Sequence, residues 1–217
     1  MSTFTLSEYE SKRLLAERGV ACAPERLVDD AEGAVRAADA LGYPAVVKAC
    51  GPGLAHKTER GLVALALADA DAVRAAATDI LGRFGAGDAE LRLLVASMVR
   101  GRRELIVGAL RDATFGATVM VGIGGVFAEA VADVSFRLAP LDAAVALDQL
   151  DDLRLQALMG AYRGEPSIDR DAVAAVLVAV GDLIAADPSI VSIDVNPLVL
   201  TADGPVAVDA LVERELS

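Results

Sequence analysis

Histidine occurs once in the 217 residues, cysteine twice and tryptophan not at all, and aromatic side chains make up only 4%. Cys22 and Cys50 form no CxxC pair and have a single imidazole to help them, which excludes a thiolate zinc site and a disulfide framework. Two buried, small apolar thiols are expected instead. With few aromatics in a 54% apolar chain, the core must be filled by Ala, Val and Leu. Long hydrophobic runs are also missing: charges, Gly or Pro interrupt every apolar stretch before the roughly 20 residues that a spanning helix needs. The first residues, MSTFTLSEYESKRLL, carry Glu early and lack the apolar segment of a signal peptide, so a cytoplasmic location is expected. Basic residues are outnumbered, 20 against 32, for a net charge of −12. No run of Lys and Arg offsets that charge, which argues against nucleic acid and anionic membrane surfaces as partners. The length allows one large domain or two small lobes.

What is present is a mixture of helical and strand periods. Ser7 and Glu10 stand three residues apart, the spacing at which each side chain caps an orphan amide of the other, and they predict a helix that stops at Gly19. Ala34, Ala37, Ala38 and Leu41 fall on one face over 31–41. Val73, Ala76, Ala77, Ile80 and Phe84 do the same over 70–84. AVVKAC (45–50) and LVALAL (62–67) read as buried strands between these helices. After GRFGAGD (82–88), strand signals dominate through LRLLVASMV, RELIVGALR, FGATVMVG, VFAEAV and VSFRLAP. Two helices follow, the clearer over 169–186, and the chain continues with IVSIDVNPLVL, an Asp203-Gly204 turn and PVAVDALV. The mixture predicts an α+β (mixed α/β) fold rather than strict βαβ alternation.

Four features can carry chemistry. In AVVKAC, Lys48 shares a strand face with Val46 and Cys50, while Ala45, Val47 and Ala49 point the other way. A charge in so apolar a strand needs a partner, either water at the strand end or phosphate oxygens. The loop CGPGLAHKTERG (50–61) has glycines that permit close backbone approach to an anion, and it carries His56, which is either an inert loop residue or an acid, base or nucleophile. Alternation puts Asp194 and Asn196 on one strand face. If the Asp203-Gly204 turn pairs the flanking strands, Asp209 joins them, giving either a solvated sheet face or oxygen donors suited to Mg²⁺. Glu129, Asp133 and Arg137 follow Gly122-Ile123-Gly124-Gly125, where Glu129 could add a carboxylate to a metal and Arg137 could neutralise a phosphate.

From Leu6 to about Val212 these pieces resemble, in order and spacing, the ATP-grasp (β) subunit of ADP-forming acetyl-CoA and acyl-CoA synthetases, relatives of succinyl-CoA synthetase. LSEYESKRLLAERGV, GYPAVVKA, GLAHKTERG, MVRGRRELIVGALRDATFG, VMVGIGGVFAEAVADVSFRLAP, and IDVNPLVL with VDA carry the similarity. The resemblance implies an ATP-grasp fold in which two lobes clasp a nucleotide. It divides the chain into an N-terminal helix (1–19), a small lobe with the His56 loop (20–95) and a large lobe with the metal-binding strands (96–217). It makes Lys48 the lysine on the nucleotide phosphates, Ala96, Ser97, Met98 and Val99 the hinge at adenine, and Glu104 a polar partner of the nucleotide, with Arg137 on the same side. Asn196 and Asp209, joined by Glu129, become Mg²⁺ ligands.

His56 matches the histidine of the family's HKS or HKT motif, which is thought to be phosphorylated and to ferry phosphate between partner subunit and nucleotide. The implied reaction is reversible: carboxylate, CoA and ATP give acyl-CoA, ADP and phosphate. CoA and the acid would sit mainly on a CoA-binding, ligase (α) subunit in a heteromer such as a heterotetramer. Arg60 stands where relatives have a small apolar residue, and Leu62 where they have a second glycine. If that glycine admits phosphate to backbone amides, a leucine weakens nucleotide binding. Two alternatives remain open: a carboxylate-amine ligase on the same fold, which needs no phosphohistidine, and a non-catalytic nucleotide sensor.

Overall fold

A computed structural model of the protein describes residues 2–54, 57, 60–85, 90–125, 132–161, 164 and 166–216. The chain forms two compact units, one of Thr5–Glu10 with Ala23–Met98, the other of Met1–Phe4, Ser11–Cys22 and Val99–Ser217. The last crossing between them falls at Met98 and Val99. Among the described residues no helix is long and apolar enough to cross a membrane.

The smaller unit is built on a four-stranded sheet ordered β2-β5-β3-β4, namely Glu25–Val28, Arg92–Ser97, Ala45–Cys50 and Val63–Leu67. Its pairings are all antiparallel. Helices α2 (Ala31–Leu41) and α3 (Ala70–Gly82) pack on it. Each helix begins at an aspartate whose side chain accepts an orphan amide: Asp30 from Gly33, Asp69 from Ala72. Such a cap contributes about 0.5–2 kcal/mol relative to alanine. The expected alternation in β3 is present, because Ala45, Val47 and Ala49 lie in the core with Ala34, Ala38, Val73 and Ile80. Val46, Lys48 and Cys50 take the opposite face and are buried as well. The helix α1 (Glu8–Ala16) starts with the anticipated capping box: the Ser7 amide and hydroxyl donate to Glu10 Oε2, and the Glu10 amide donates to Ser7 Oγ at 3.3 Å.

The larger unit carries a sheet of seven strands in the path β1-β11-β9-β6-β7-β8, with β10 also on β9. In chain order these are Thr3–Thr5 (β1), Arg103–Asp112 (β6), Gly116–Ile123 (β7), Val134–Leu138 (β8), Ile190–Thr201 (β9), Gly204–Ala207 (β10) and Ala210–Glu215 (β11). Helices α4 (Ala143–Asp151) and α5 (Arg170–Ala186) contact β6, β7, β8 and β9. The α5 stripe of Val173, Val176, Leu177, Val180 and Ile184 is buried, as its period requires. Directly paired residues share a face, so register shows which residues line each side. Ile193, Ala109 and Val119 form a buried row, whereas Asp194, Gly108, Met120 and Phe136 form the neighbouring row on the other face. Phe136 is 60% exposed there, so this second face is the open one.

Sequence reading missed the edge strands β1 and β2, which are short and lack strict alternation. It also placed both thiols in the interior. Both cysteines are free, and Cys50 is buried, but Cys22 is only half-buried. Cys22 sits at a parallel bridge to Ala207 rather than inside a packed strand. Burial pushes the Cys50 thiol up from its ordinary pKa, against a smaller lowering by a hydrogen bond to the Tyr9 backbone. The VFAEAV strand falls within 126–131, outside the described residues.

Candidate functional site

The smaller unit contributes a buried ionic group that the sequence did not announce. Lys48 is 8% exposed, and its ammonium donates to Glu8 Oε1 at 2.7 Å. Lys57, which follows His56 directly, is 7% exposed and donates to the other oxygen of the same carboxylate, Glu8 Oε2. Lys48 therefore does not reach out to water from the strand end. Its charge is met inside the unit by the first residue of α1. His56 itself lies outside the described residues.

Backbone hydrogen bonds hold both ends of its loop. The Gly53 amide donates to Thr5 O at 3.1 Å, and Leu54 is buried. At the far end the Leu62 amide donates to Lys57 O at 2.8 Å and the Ala49 amide to Leu62 O at 2.9 Å, continuing the β3 edge. Gly61 has φ +65°, a left-handed turn, with the Arg83 guanidinium 3.0 Å from where a Cβ would lie. Leu62, the residue that replaces a family glycine, is 1% exposed and belongs to the core beneath α2 and α3. Its side chain fills the interior and its amide closes the loop, so it acts in packing. Leu62→Ala is expected to cost about 2–5 kcal/mol of stability, checked by urea unfolding; a loss under about 1 kcal/mol would contradict this placement.

Ala96, Ser97, Met98 and Val99, the residues expected at adenine, lie where the chain leaves the smaller unit. Ala96 and Ser97 end β5; the Ser97 amide donates to Pro24 O and the Met98 amide to Pro44 O. Val99 is the first residue of the next segment.

In the larger unit, β9 and the two strands beside it keep one register. Gly204 pairs with Thr201 and Ala207 with Leu198, then Ala210 pairs with Val195 and Leu211 with Asp194. Between these stretches the Asn196 amide donates to Asp209 O at 3.2 Å. Asn196 and Asp209 are therefore cross-strand neighbours, and Asp194, two residues from Asn196, shares their face. Ile193 and Val195 are buried behind them. The Asp194 side chain keeps contact with solvent. Even so, the protein around it and, secondarily, the Asp209 charge push its carboxyl above the ordinary aspartate pKa.

Two carboxylates that disfavour each other's charge, together with an amide oxygen, fit a hard divalent cation such as Mg²⁺. Among the described residues no group of three or more His, Cys, Asp and Glu side chains could hold a metal ion. Glu129 lies outside the described residues.

Glu104 occupies β6 opposite Val199, and its carbonyl accepts from the Gly124 amide at 2.8 Å. A Cβ on Gly124 would stand 3.1 Å from that carbonyl, so this glycine serves a close approach between backbones. Glu104, Gly124, Arg102, Arg103 and Met159 line a cavity of about 80 Å³. Arg137 pairs with Asp152 at 2.6 Å and also donates to Ser135 Oγ, so its guanidinium is engaged within its own unit.

Asp133 is 2% exposed and caps the chain after α4, accepting from the Arg154 and Leu155 amides at 2.9 Å each. Burial works to raise its pKa, but those amides and the Arg154 guanidinium outweigh it, and the net shift is downward. A depressed carboxyl stabilises the fold above its unfolded pKa and loses that contribution as pH falls through the folded value. Asp133→Asn should therefore flatten the acid-side fall in melting temperature below about pH 4; an unchanged slope would contradict it.

An ATP-grasp domain model matches residues 2–213. The chain is 35% identical over 208 residues to the β subunit of acetate-CoA ligase (ADP-forming) I from Pyrococcus furiosus, covering 94% of this chain and 90% of that one. It belongs to the ATP-grasp family. Its homologues in that family are ATP-grasp parts of ADP-forming acyl-CoA ligases, and the α+β architecture is the ATP-grasp fold.

The chain is 39% identical over 214 residues to a trans-feruloyl-CoA synthase from an unknown prokaryotic organism, and it spans 30% of that protein's length. Among solved structures, the dinucleotide-forming acetyl-coenzyme A synthetase 1 of Ca. Korarchaeum cryptofilum is similar, with TM-score 0.91 and 33% identity over 97% of this chain and 93% of that one. That structure is a complex with coenzyme A and Ca-AMPCP. Others of the same protein hold a phosphorylated phosphohistidine segment, or Mg-AMPPCP with that segment pointing towards the nucleotide-binding site.

Proposed function

We propose that this ATP-grasp chain is the nucleotide-binding subunit of an ADP-forming acyl-CoA synthetase, with His56 as the phosphoryl carrier. The observation that carries the reading is similarity along nearly the whole chain to a β subunit of that activity. The acetyl-coenzyme A synthetase whose phosphohistidine segment points towards the nucleotide-binding site supports the same assignment for the HKT motif. In the direction of acyl-CoA synthesis, an imidazole nitrogen of His56 attacks the γ-phosphorus of ATP. The N–P bond forms as the bond to the β–γ bridging oxygen breaks, and ADP leaves. The phosphoryl group then passes to the partner subunit that binds CoA and from there to the carboxylate, and CoA displaces phosphate from the acyl phosphate.

Lys48 would meet the nucleotide phosphates as a point charge, and Ala96, Ser97, Met98, Val99 and Glu104 would receive the base and sugar side. Asn196 and Asp209, with Glu129, would hold Mg²⁺, which when bound neutralises charge on the transferring phosphoryl group. Arg137 would add a cation on the nucleotide side only by leaving Asp152. The smaller unit would carry Lys48 and the His56 loop and the larger unit Asn196 and Asp209, with the chain in a heteromer with the CoA-binding subunit. A cytoplasmic location suits a reaction that consumes CoA and ATP.

The amine-ligase and sensor alternatives gain nothing from these similarities. Of the two departures that motivated the sensor, Arg60 and Leu62, the second is a core residue. The test is reconstitution: the purified chain, a CoA-binding ligase subunit and Mg²⁺ should convert ADP, phosphate and acetyl-CoA to ATP, acetate and CoA. Tight Mg-AMPPCP binding with no ATP formed in the presence of a competent partner would overturn the synthetase reading in favour of a sensor.

A further inference from the structure

Glu8 is 2% exposed and opens α1, where its charge is favoured by the orphan amides of the first turn. Neither the sequence pattern nor the reaction above gives it a part. We infer that Glu8 is a positioning residue for phosphoryl transfer: one carboxylate oxygen holds Lys48 and the other holds Lys57, fixing the phosphate lysine of β3 and the residue next to His56 to a single point. The inference rests on the proposed relay through His56.

The geometry is local to one unit and mutually supported. The capping box of Ser7 and Glu10 sets the first turn of α1, which sets Glu8. The Leu62 amide on Lys57 O fixes the backbone from which the second lysine reaches in. The Lys48 partner is 40 residues away in sequence and the Lys57 partner 49, so the carboxylate joins the helix start, the strand and the loop. Burying ammonium groups is expensive in desolvation, and well-packed apolar side chains usually give equal or greater stability. Stability alone thus gives a poor account of three charged side chains kept below 10% exposure beside the HKT loop. Positioning does account for them. A carboxylate also has a chemical advantage here: it accepts at both oxygens, whereas glutamine accepts at one and offers an N–H₂ donor at the other.

The experiment uses the full chain, and compares the parent with Glu8→Gln, Lys57→Met, Lys48→Met and the Glu8→Gln/Lys57→Met double variant. Three readouts are taken well below the melting temperature. The first is trace acetylation of lysines in the nucleotide-free protein, mapped by mass spectrometry. The second is the Kd for Mg-AMPPCP, and the third is the single-turnover rate of phosphoryl transfer from ATP to protein.

In Glu8→Gln, acetylation of Lys57 should rise by about 10- to 100-fold, the equivalent of one charge-assisted hydrogen bond. Lys57→Met should leave Lys48 protected, and Lys48→Met should leave Lys57 protected, because each single variant keeps one lysine on Glu8. Lys57→Met should slow transfer about tenfold while Kd stays within about threefold, a split that a loss of packing does not produce. The double variant should transfer no more slowly than Glu8→Gln, because the two residues act as one unit.

A folded Glu8→Gln protein with parental acetylation, Kd and transfer rate overturns the inference, as do effects that simply add in the double variant. If Glu8→Gln does not fold, the two lysine variants decide: loss of protection at the remaining lysine in either one overturns it. A parent chain that fails to bind Mg-AMPPCP sinks the nucleotide reading instead, and the acetylation pattern still reports whether Glu8 is the shared anchor.

Discussion

His56→Ala abolishes reconstituted turnover, lowering it by at least about a thousandfold, while Mg-AMPPCP affinity stays within about threefold of the parent. The expected loss is large because the substitution removes the atom proposed to accept the phosphoryl group. Losing a charge that merely stabilises the transition state typically costs only about 10²–10³. The chain is well suited to the test, since it contains no second histidine that could accept phosphate in its place. Nucleotide affinity should survive because the proposed phosphate and metal contacts come from Lys48, Asn196 and Asp209. A carboxylate-amine ligase would pass phosphate directly to its carboxylate substrate. Turnover near the parental rate in His56→Ala would favour that chemistry and remove the relay.

Lys48→Met weakens Mg-AMPPCP by about 10- to 100-fold, the equivalent of the 1.5–3 kcal/mol typical of a hydrogen bond to a charged group. Methionine matches the length of the lysine stem and fills the same space in β3, so the core of Ala45, Val47 and Ala49 on the opposite face is undisturbed. Glu8 is not stranded either, because Lys57 still donates to it. The variant should therefore melt within a few degrees of the parent, and the loss should show in calorimetry. An unchanged Kd would mean that Lys48 only neutralises Glu8. Weaker binding accompanied by general destabilisation would mean that the effect comes from the fold.

Much of this was legible in the chain, and the line between what was and what was not is a physical one. Periodicity is a local property, so it identified the buried stripe of α5, the two faces of β3 and the alternation of Asp194 with Ile193 and Val195. The convergence of Asp209 with Asn196 was also within reach, because a single Asp-Gly turn joins the strands and an unbroken register carries the pairing down to those residues.

Glu8 was invisible for the opposite reason. An acidic residue in the first turn of a helix needs no explanation beyond the helix itself, and nothing local ties residue 8 to residues 48 and 57. The usable signal was the demand that Lys48 find a partner, which left water or phosphate as the candidates because the protein's own carboxylate lay 40 positions away. The place of Leu62 in the core was hidden in a similar way. Compared with family glycines it looked like damage to a phosphate loop. Its place one residue before β4, with its carbonyl accepting from Ala49, makes it part of the core. Arg137 looked available to a phosphate because Asp152, its partner, sits beyond the next helix in sequence.

The most direct test of the central claim is to incubate the parent chain with [γ-³²P]ATP, Mg²⁺ and a CoA-binding ligase subunit, and then to locate the label. The proposed relay requires acid-labile, base-stable phosphate on the tryptic peptide that contains His56, discharged when the carboxylate and CoA are added. An unlabelled chain in a mixture that is turning over, or label that is acid-stable or on another peptide, would contradict it.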